Sequence, residues 1–135
     1  MDYVKLDLSV DPVAKGRPRI SRQGHAFTPH KTRAFEREIQ LLMRSKYSGA
    51  AIDYPISVSV VFHLKKPKSV KRPHPSVKPD LDNLTKAILD AGNGILWSDD
   101  ALICELNIEK KYSDSGAIEI QIWPIKHGAA EDSTD

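Results

Sequence analysis

Apolar and polar residues alternate at the start of the chain: Val4, Leu6, Leu8 and Val10 fall on one side, Lys5, Asp7 and Ser9 on the other. A period of two predicts a strand with one buried face over residues 3–10. Residues 11–30 lose the pattern. Pro12, Gly16, Pro18, Gly24 and Pro29 predict a loop too polar and too interrupted for a regular element. Long loops of this kind are often functional, and Phe27 is expected to anchor this one on the core. Thr28 and Pro29 suit a helix start, as cap and first helical residue. Phe35, Ile39, Leu42 and Met43 recur at helical spacing, which predicts a helix to residue 47 that ends at Ser48 and Gly49. Alternation returns over residues 56–64, with Ile56, Val58, Val60 and Phe62 on one face.

Four prolines then keep residues 65–80 extended. Leu81, Leu84, Ala87, Ile88 and Ala91 predict a second helix over 81–91, ended by Gly92 and Gly94. Residues 101–111 read as a strand with Leu102, Cys104, Leu106 and Ile108 on one face. Residues 117–123 read as another, with Ile118, Ile120 and Ile122 inward. Their short connection predicts an antiparallel hairpin. The order strand, helix, strand, helix, strand, strand predicts one α+β domain over residues 1–126, a mixed β-sheet with two main helices packed on it. Residues 127–135 read as a disordered acidic tail.

The 135 residues suffice for one hydrophobic core, and 40% apolar with 28% charged residues is an ordinary globular balance. No apolar run approaches a membrane span, and the first residues lack a signal-peptide core. One cysteine, Cys104, excludes an internal disulfide framework and suits a reducing compartment, expected to be the cytoplasm. The net charge of +2 hides an asymmetry. Residues 14–33 hold six basic residues and no acid, and residues 64–79 hold six more and no acid. Lys15, Arg17, Arg19 and Arg22 in the first segment are candidates for DNA phosphate contacts. So are Lys65, Lys66, Lys68, Lys71, Arg72 and Lys78 in the second. For either segment alone, the plain reading is a solvated loop.

The acids gather where the second basic segment ends. Asp80 and Asp82 precede the second helix by one position and open it, Lys86 follows one turn later, and Asp99 and Asp100 stand at the entrance of the next strand. Clustered carboxylates repel each other unless a cation lies between them, and all-oxygen ligands select magnesium or manganese. Such a metal is shared with substrate phosphates and activates water. Lys86 suits neutralisation of charge on a reacting phosphate. The competing readings are an N-cap for Asp80 and an i, i+4 pair between Asp82 and Lys86. Asp90, about 12 Å from Asp82 along the helix, reads as solvated rather than ligating. The downstream acids reach the helix start only if the helix packs antiparallel to the strand at that end. No zinc-like pairing, phosphate loop or dinucleotide fingerprint is present.

The run KPDLDNLTKAILDAGNG, followed by ILWSDDALICELNIEKKY, resembles the RusA-type Holliday junction resolvases. The segment KGRPRISRQGHAFTPHKTRAFERE is similar to phage-type members of that family, so the likeness spans residues 4–123. The resemblance implies a small α/β fold, a homodimer, four-way (branched) DNA junctions as substrate, and magnesium-dependent nicking of two opposed strands. It matches Asp80, Asp82, Lys86 and Asp100 to the catalytic set, with Asp80, Asp82 and Asp100 as metal ligands and Asp99 as ligand or neighbour. Two departures stand out: Gly92 where members often carry a bulky apolar residue, and a connection to the second acidic pair shorter than in some members. The expected function is a magnesium-dependent endonuclease that resolves four-way junctions as a homodimer through the first strand or the helix 29–47, with manganese a possible substitute and no membrane partner. The alternatives are an inactive branched-DNA binding protein, a nuclease acting on flaps or forks, and a structural domain that merely caps its helix with Asp80.

Overall fold

The computed structural model describes residues 3–13, 19–20, 26–27 and 30–125, with backbone alone for 19–20, 26–27 and 30–32. The side chains of Lys15, Arg17, Arg19, Arg22 and Phe27, the Thr28–Pro29 cap and the acidic tail lie outside the described residues.

The chain forms β1 (Val4–Leu8), β2 (Arg19–Ile20), β3 (Ala26–Phe27), α1 (His30–Lys46), β4 (Ile56–Lys65), α2 (Leu81–Gly92), β5 (Ile103–Ser113) and β6 (Ala117–Pro124). A 3-10 turn, Asp100–Leu102, leads into β5. Four strands make one mixed sheet in the order β1-β6-β4-β5. The fold is α+β, as the pattern predicts. The loop before α1 is not wholly irregular, because β2 and β3 pair as a short antiparallel ribbon.

The expected hairpin between the last two strands is not formed. β4 lies between them, parallel to β5 and antiparallel to β6. Ile56, Val58, Val60 and Phe62 are fully buried, and burial of that face favours the sheet centre, where both backbone edges are paired. The chain after β5 crosses the end of β4, a gap of about 10 Å that residues 114–116 can span. The parallel β4–β5 pair needs a crossover, and the proline-rich segment with α2 supplies it.

Both helices cover one sheet face. α1 buries Phe35, Ile39 and Met43, while α2 buries Leu84, Ala87, Ile88 and Ala91 against Leu6, Leu8, Ile118, Ile120 and Ile122. Trp97 is wholly buried in the turn after α2. A Cβ on Gly92 would lie 2.6 Å from the Trp97 ring, so the indole fills the space that a larger residue at position 92 would take. On the other face His63 bonds Ser113 Oγ and Glu119 Oε1.

Candidate active site

Asp82, Lys86 and Asp90 lie on one face of α2 at four-residue spacing. Asp100 opens the 3-10 turn. All four border one open cavity of about 420 Å³, floored by Leu89, Ile103, Cys104, Leu106 and Ile108. The distant acids therefore border one shared cavity. Asp90, expected to be merely solvated, lines it too. The close pair on this face is Lys86 with Asp90, Nζ to Oδ2 3.8 Å, rather than Asp82 with Lys86.

Three hydrogen bonds fix the direction of α2 over β5. Asn93, just past the helix end, donates from Nδ2 to Asp100 Oδ2 at 3.3 Å. Lys110, in the far half of β5, donates from Nζ to the Val77 and Pro79 carbonyls at 2.8 and 2.9 Å. The helix thus runs antiparallel to the strand, and this sends the strand's entrance to the end of α2, not to its start. Asp82 and Asp100 border the cavity from opposite ends. Asp82 precedes Asn93 by eleven residues, about 16 Å of helix.

Asn93 orients Asp100. Trp97 Nε1 donates to Asn93 Oδ1 at 3.1 Å. Indole is a donor only, so the amide must turn its NH₂ towards the carboxylate. Lys110 plays the matching part at the other end by pinning the backbone directly before Asp80. Neither residue was singled out in the sequence. The motif NGILWSDD held the first, as an amide placed between a buried indole and an acid. The second left no local signal, since its partners lie more than 30 residues away.

Asp80 holds the N-cap position of α2 but makes no side-chain cap bond. Its carboxylate is exposed and 3.4 Å from Lys78 Nζ. Asp99 is exposed at the start of the 3-10 turn and lies off the cavity lining. Among the described residues, no group of three or more His, Cys, Asp or Glu side chains is gathered to hold a metal ion. The donors present still suit a hard cation. Magnesium keeps several waters and needs only one or two protein carboxylates beside a substrate phosphate, and Asp80 and Asp82 stand together at a helix start.

Lys65, Lys66, Lys68, Lys71, Arg72 and Lys78 are all exposed. Lys65, Arg72 and Lys78 line a second cavity of about 380 Å³, walled by Pro67, Pro75 and Pro79. Arg72 Nε donates to Tyr112 Oη at 3.0 Å, which holds the guanidinium at the cavity. Pro79 borders this cavity and Asp82 the first, so the helix start separates a basic pocket from an acidic one. No described helix is long and apolar enough to cross a membrane.

A family model described as endodeoxyribonuclease RusA matches residues 9–123. The chain is 32% identical over 140 residues to the uncharacterised protein YqaN of Bacillus subtilis, covering 93% of this chain and 99% of that one. It is 32% identical over 129 residues to the crossover junction endodeoxyribonuclease RusA of Aquifex aeolicus, covering 93% and 95%.

Proposed function

The chain belongs to the RusA endodeoxyribonuclease family, and we propose that it is a divalent-metal-dependent nuclease that resolves four-way DNA junctions by paired nicks as a homodimer in the cytoplasm. The observation that carries this reading is the shared cavity. Asp82, Lys86 and Asp100 border one opening, and exposed basic residues flank it through residues 65–78. Pure DNA binding gains nothing from carboxylates beside phosphates, whereas metal-assisted hydrolysis requires them.

In this reading Asp80 and Asp82 hold magnesium, or manganese in its place, while Asp100, with Asp99 beside it, borders the same cavity as Asp82 from its far end. The cation, when bound, supplies an activated water and stabilises the leaving oxygen. Lys86 places its ammonium over the same opening, where it neutralises charge on the reacting phosphate. The side chain is 65% exposed and only loosely held by Asp90, so it is available to a phosphate. The lysines and arginines of residues 65–78 hold the junction arms through backbone contacts, which position without reading sequence. Cutting two opposed strands of a two-fold junction requires two sites, and a homodimer supplies them.

The test is Asp82→Asn on a synthetic four-way junction. The variant should retain junction affinity within about threefold while losing cleavage by at least a factor of roughly 100, an effect on the scale of removing one key transition-state contact. Cleavage by the variant at the wild-type rate would overturn the assignment.

A further inference from the structure

We propose that the basic cavity before α2 is a nucleotide pocket. It takes one unpaired base of the DNA, stacked on Tyr112, and Asp11 selects a base with an amino group over thymine. This role rests on the nuclease reading above and gives it a specificity element.

The cavity, about 380 Å³, has the size of pockets that hold small organic ligands. Its lining combines three kinds of group. Lys65, Arg72 and Lys78 supply cations, Tyr112 supplies a ring, and Asp11 is the one acid among the described residues that line it. Cations alone would suit any phosphate backbone. A ring among them suits a nucleotide, because every base has a face to stack and every phosphate a charge to neutralise. Two cations already attend the ring. Lys66 Nζ lies 5.8 Å from its centre and Arg72 Cζ 5.9 Å. Arg72 Nε also donates to Tyr112 Oη at 3.0 Å, which holds the ring by its hydroxyl.

The two flanks of the pocket are fixed in the folded chain. The Lys66 amide donates to the Ser113 carbonyl at 3.2 Å, which ties the start of the proline-rich segment to β5 beside Tyr112. Asp11 is seated against Gly116, where a Cβ would lie 2.9 Å from Asp11 Cα. Only glycine lets the two segments approach so closely. The turn after β5 therefore sets where the carboxylate stands.

The position of Lys78 says which nucleotide enters. This residue lines the cavity, and its Nζ is 3.4 Å from Asp80 Oδ2. A nucleotide in the pocket adjoins the phosphate held at Asp80 and Asp82. A base inside a duplex has both faces covered, so the ring accepts only a base that has left the stack. Leaving costs least where pairing is already disturbed, as it is where strands exchange partners. A carboxylate accepts hydrogen bonds and donates none. Cytosine and adenine present an amino donor on the edge where thymine presents only O4.

The test uses labelled five-nucleotide strands of deoxycytidine, deoxyadenosine or thymidine, bound to the full chain without divalent metal and read by anisotropy. The first two should bind roughly tenfold tighter than thymidine, the scale of one good base contact. Tyr112→Leu should weaken the deoxycytidine strand roughly tenfold, whereas Tyr112→Phe, which keeps the ring, should stay within about threefold. Asp11→Asn should bring all three strands within about threefold of one another, because an amide accepts from an amino group and also donates to O4. A carboxylate that is only a counter-charge would instead let Asp11→Asn tighten every strand equally, and that result would overturn the selection. Equal binding of the three strands by the wild type, or Tyr112→Leu binding as the wild type does, would overturn the pocket. Asp11 is exposed, so its variant decides the matter even if Tyr112→Leu does not fold.

Cleavage supplies the second arm. On four-way junctions that differ only in the nucleotide beside the cut, cytosine should be cut roughly tenfold faster than thymine, and Asp11→Asn should level the two rates. Equal rates with the wild type would overturn the placement beside the cut. If the wild type cuts no junction, the nuclease reading fails, and strand binding still decides the pocket.

Discussion

Lys110→Met removes the clamp on the backbone before Asp80 and Asp82, the acids proposed to hold the metal. The ammonium donates to two carbonyls, Val77 at 2.8 Å and Pro79 at 2.9 Å, and methionine keeps the length of the stem without the donors. A hydrogen bond to a charged group is worth about 1.5–3 kcal/mol. Lys110 is only half-buried and Val77 is exposed, so water recovers much of that for both carbonyls. We therefore expect a loss of about 1–2 kcal/mol for the pair, which frees the segment before α2 roughly 5–30 times more often. Thermal unfolding should shift down by about 3–8 °C. Junction cleavage should fall about tenfold in kcat, while junction affinity changes less than about threefold, because the lost contacts position Asp80 and Asp82 rather than DNA. Lys110→Arg, which keeps donors, should recover part of the rate. A Lys110→Met protein with wild-type melting and wild-type kcat would refute the clamp.

Arg72→Ala should weaken junction binding at all sequences and lower the slope of log affinity against log salt by about one, since it removes one phosphate contact; a slope unchanged across a salt titration would exclude that contact. Asn93→Ala should lower kcat several-fold with little change in melting, because Trp97 Nε1 keeps the Leu89 carbonyl at 3.4 Å while Asp100 loses its donor; steady-state cleavage and calorimetry together check this. Gly92→Ala should destabilise the fold by about 1–2 kcal/mol. The new Cβ meets the buried Trp97 ring at 2.6 Å, and overpacking of that kind outweighs the roughly 1 kcal/mol gained in helix propensity; a raised melting temperature would contradict it.

The elements with strong periodicity were legible from the chain alone. β4 shows why: its alternate residues Ile56, Val58, Val60 and Phe62 are all buried, so pattern and environment agree. α2 was legible for the same reason, with Leu84, Ala87, Ile88 and Ala91 inward. Pairing was not legible. The three-residue link between β5 and β6 looks like a hairpin turn, and only the apolar strength of β4 decides that it inserts between them. The short β2–β3 ribbon was hidden by glycine and proline in its surroundings.

The candidate residues could be picked out along the chain, but their geometry could not. Asp82, Lys86 and Asp100 do border one cavity, yet spacing along the chain could not tell which end of α2 would meet the entrance of β5. The parallel β4–β5 crossover settles that, and crossovers are properties of the whole sheet. Asp90 shows what linear distance leaves out. Its distance from Asp82 argued for a solvated role, while a helix face two turns long lines the cavity throughout.

The most direct measurement of the central claim is strand-resolved nicking of an immobile four-way junction, with and without magnesium, beside a linear duplex of the same sequence. The account predicts paired, symmetric nicks in opposed strands of the junction, dependent on the metal, with the duplex left intact. Tight junction binding without nicks in magnesium or manganese would contradict it, and equal cutting of the duplex would contradict the junction as its substrate.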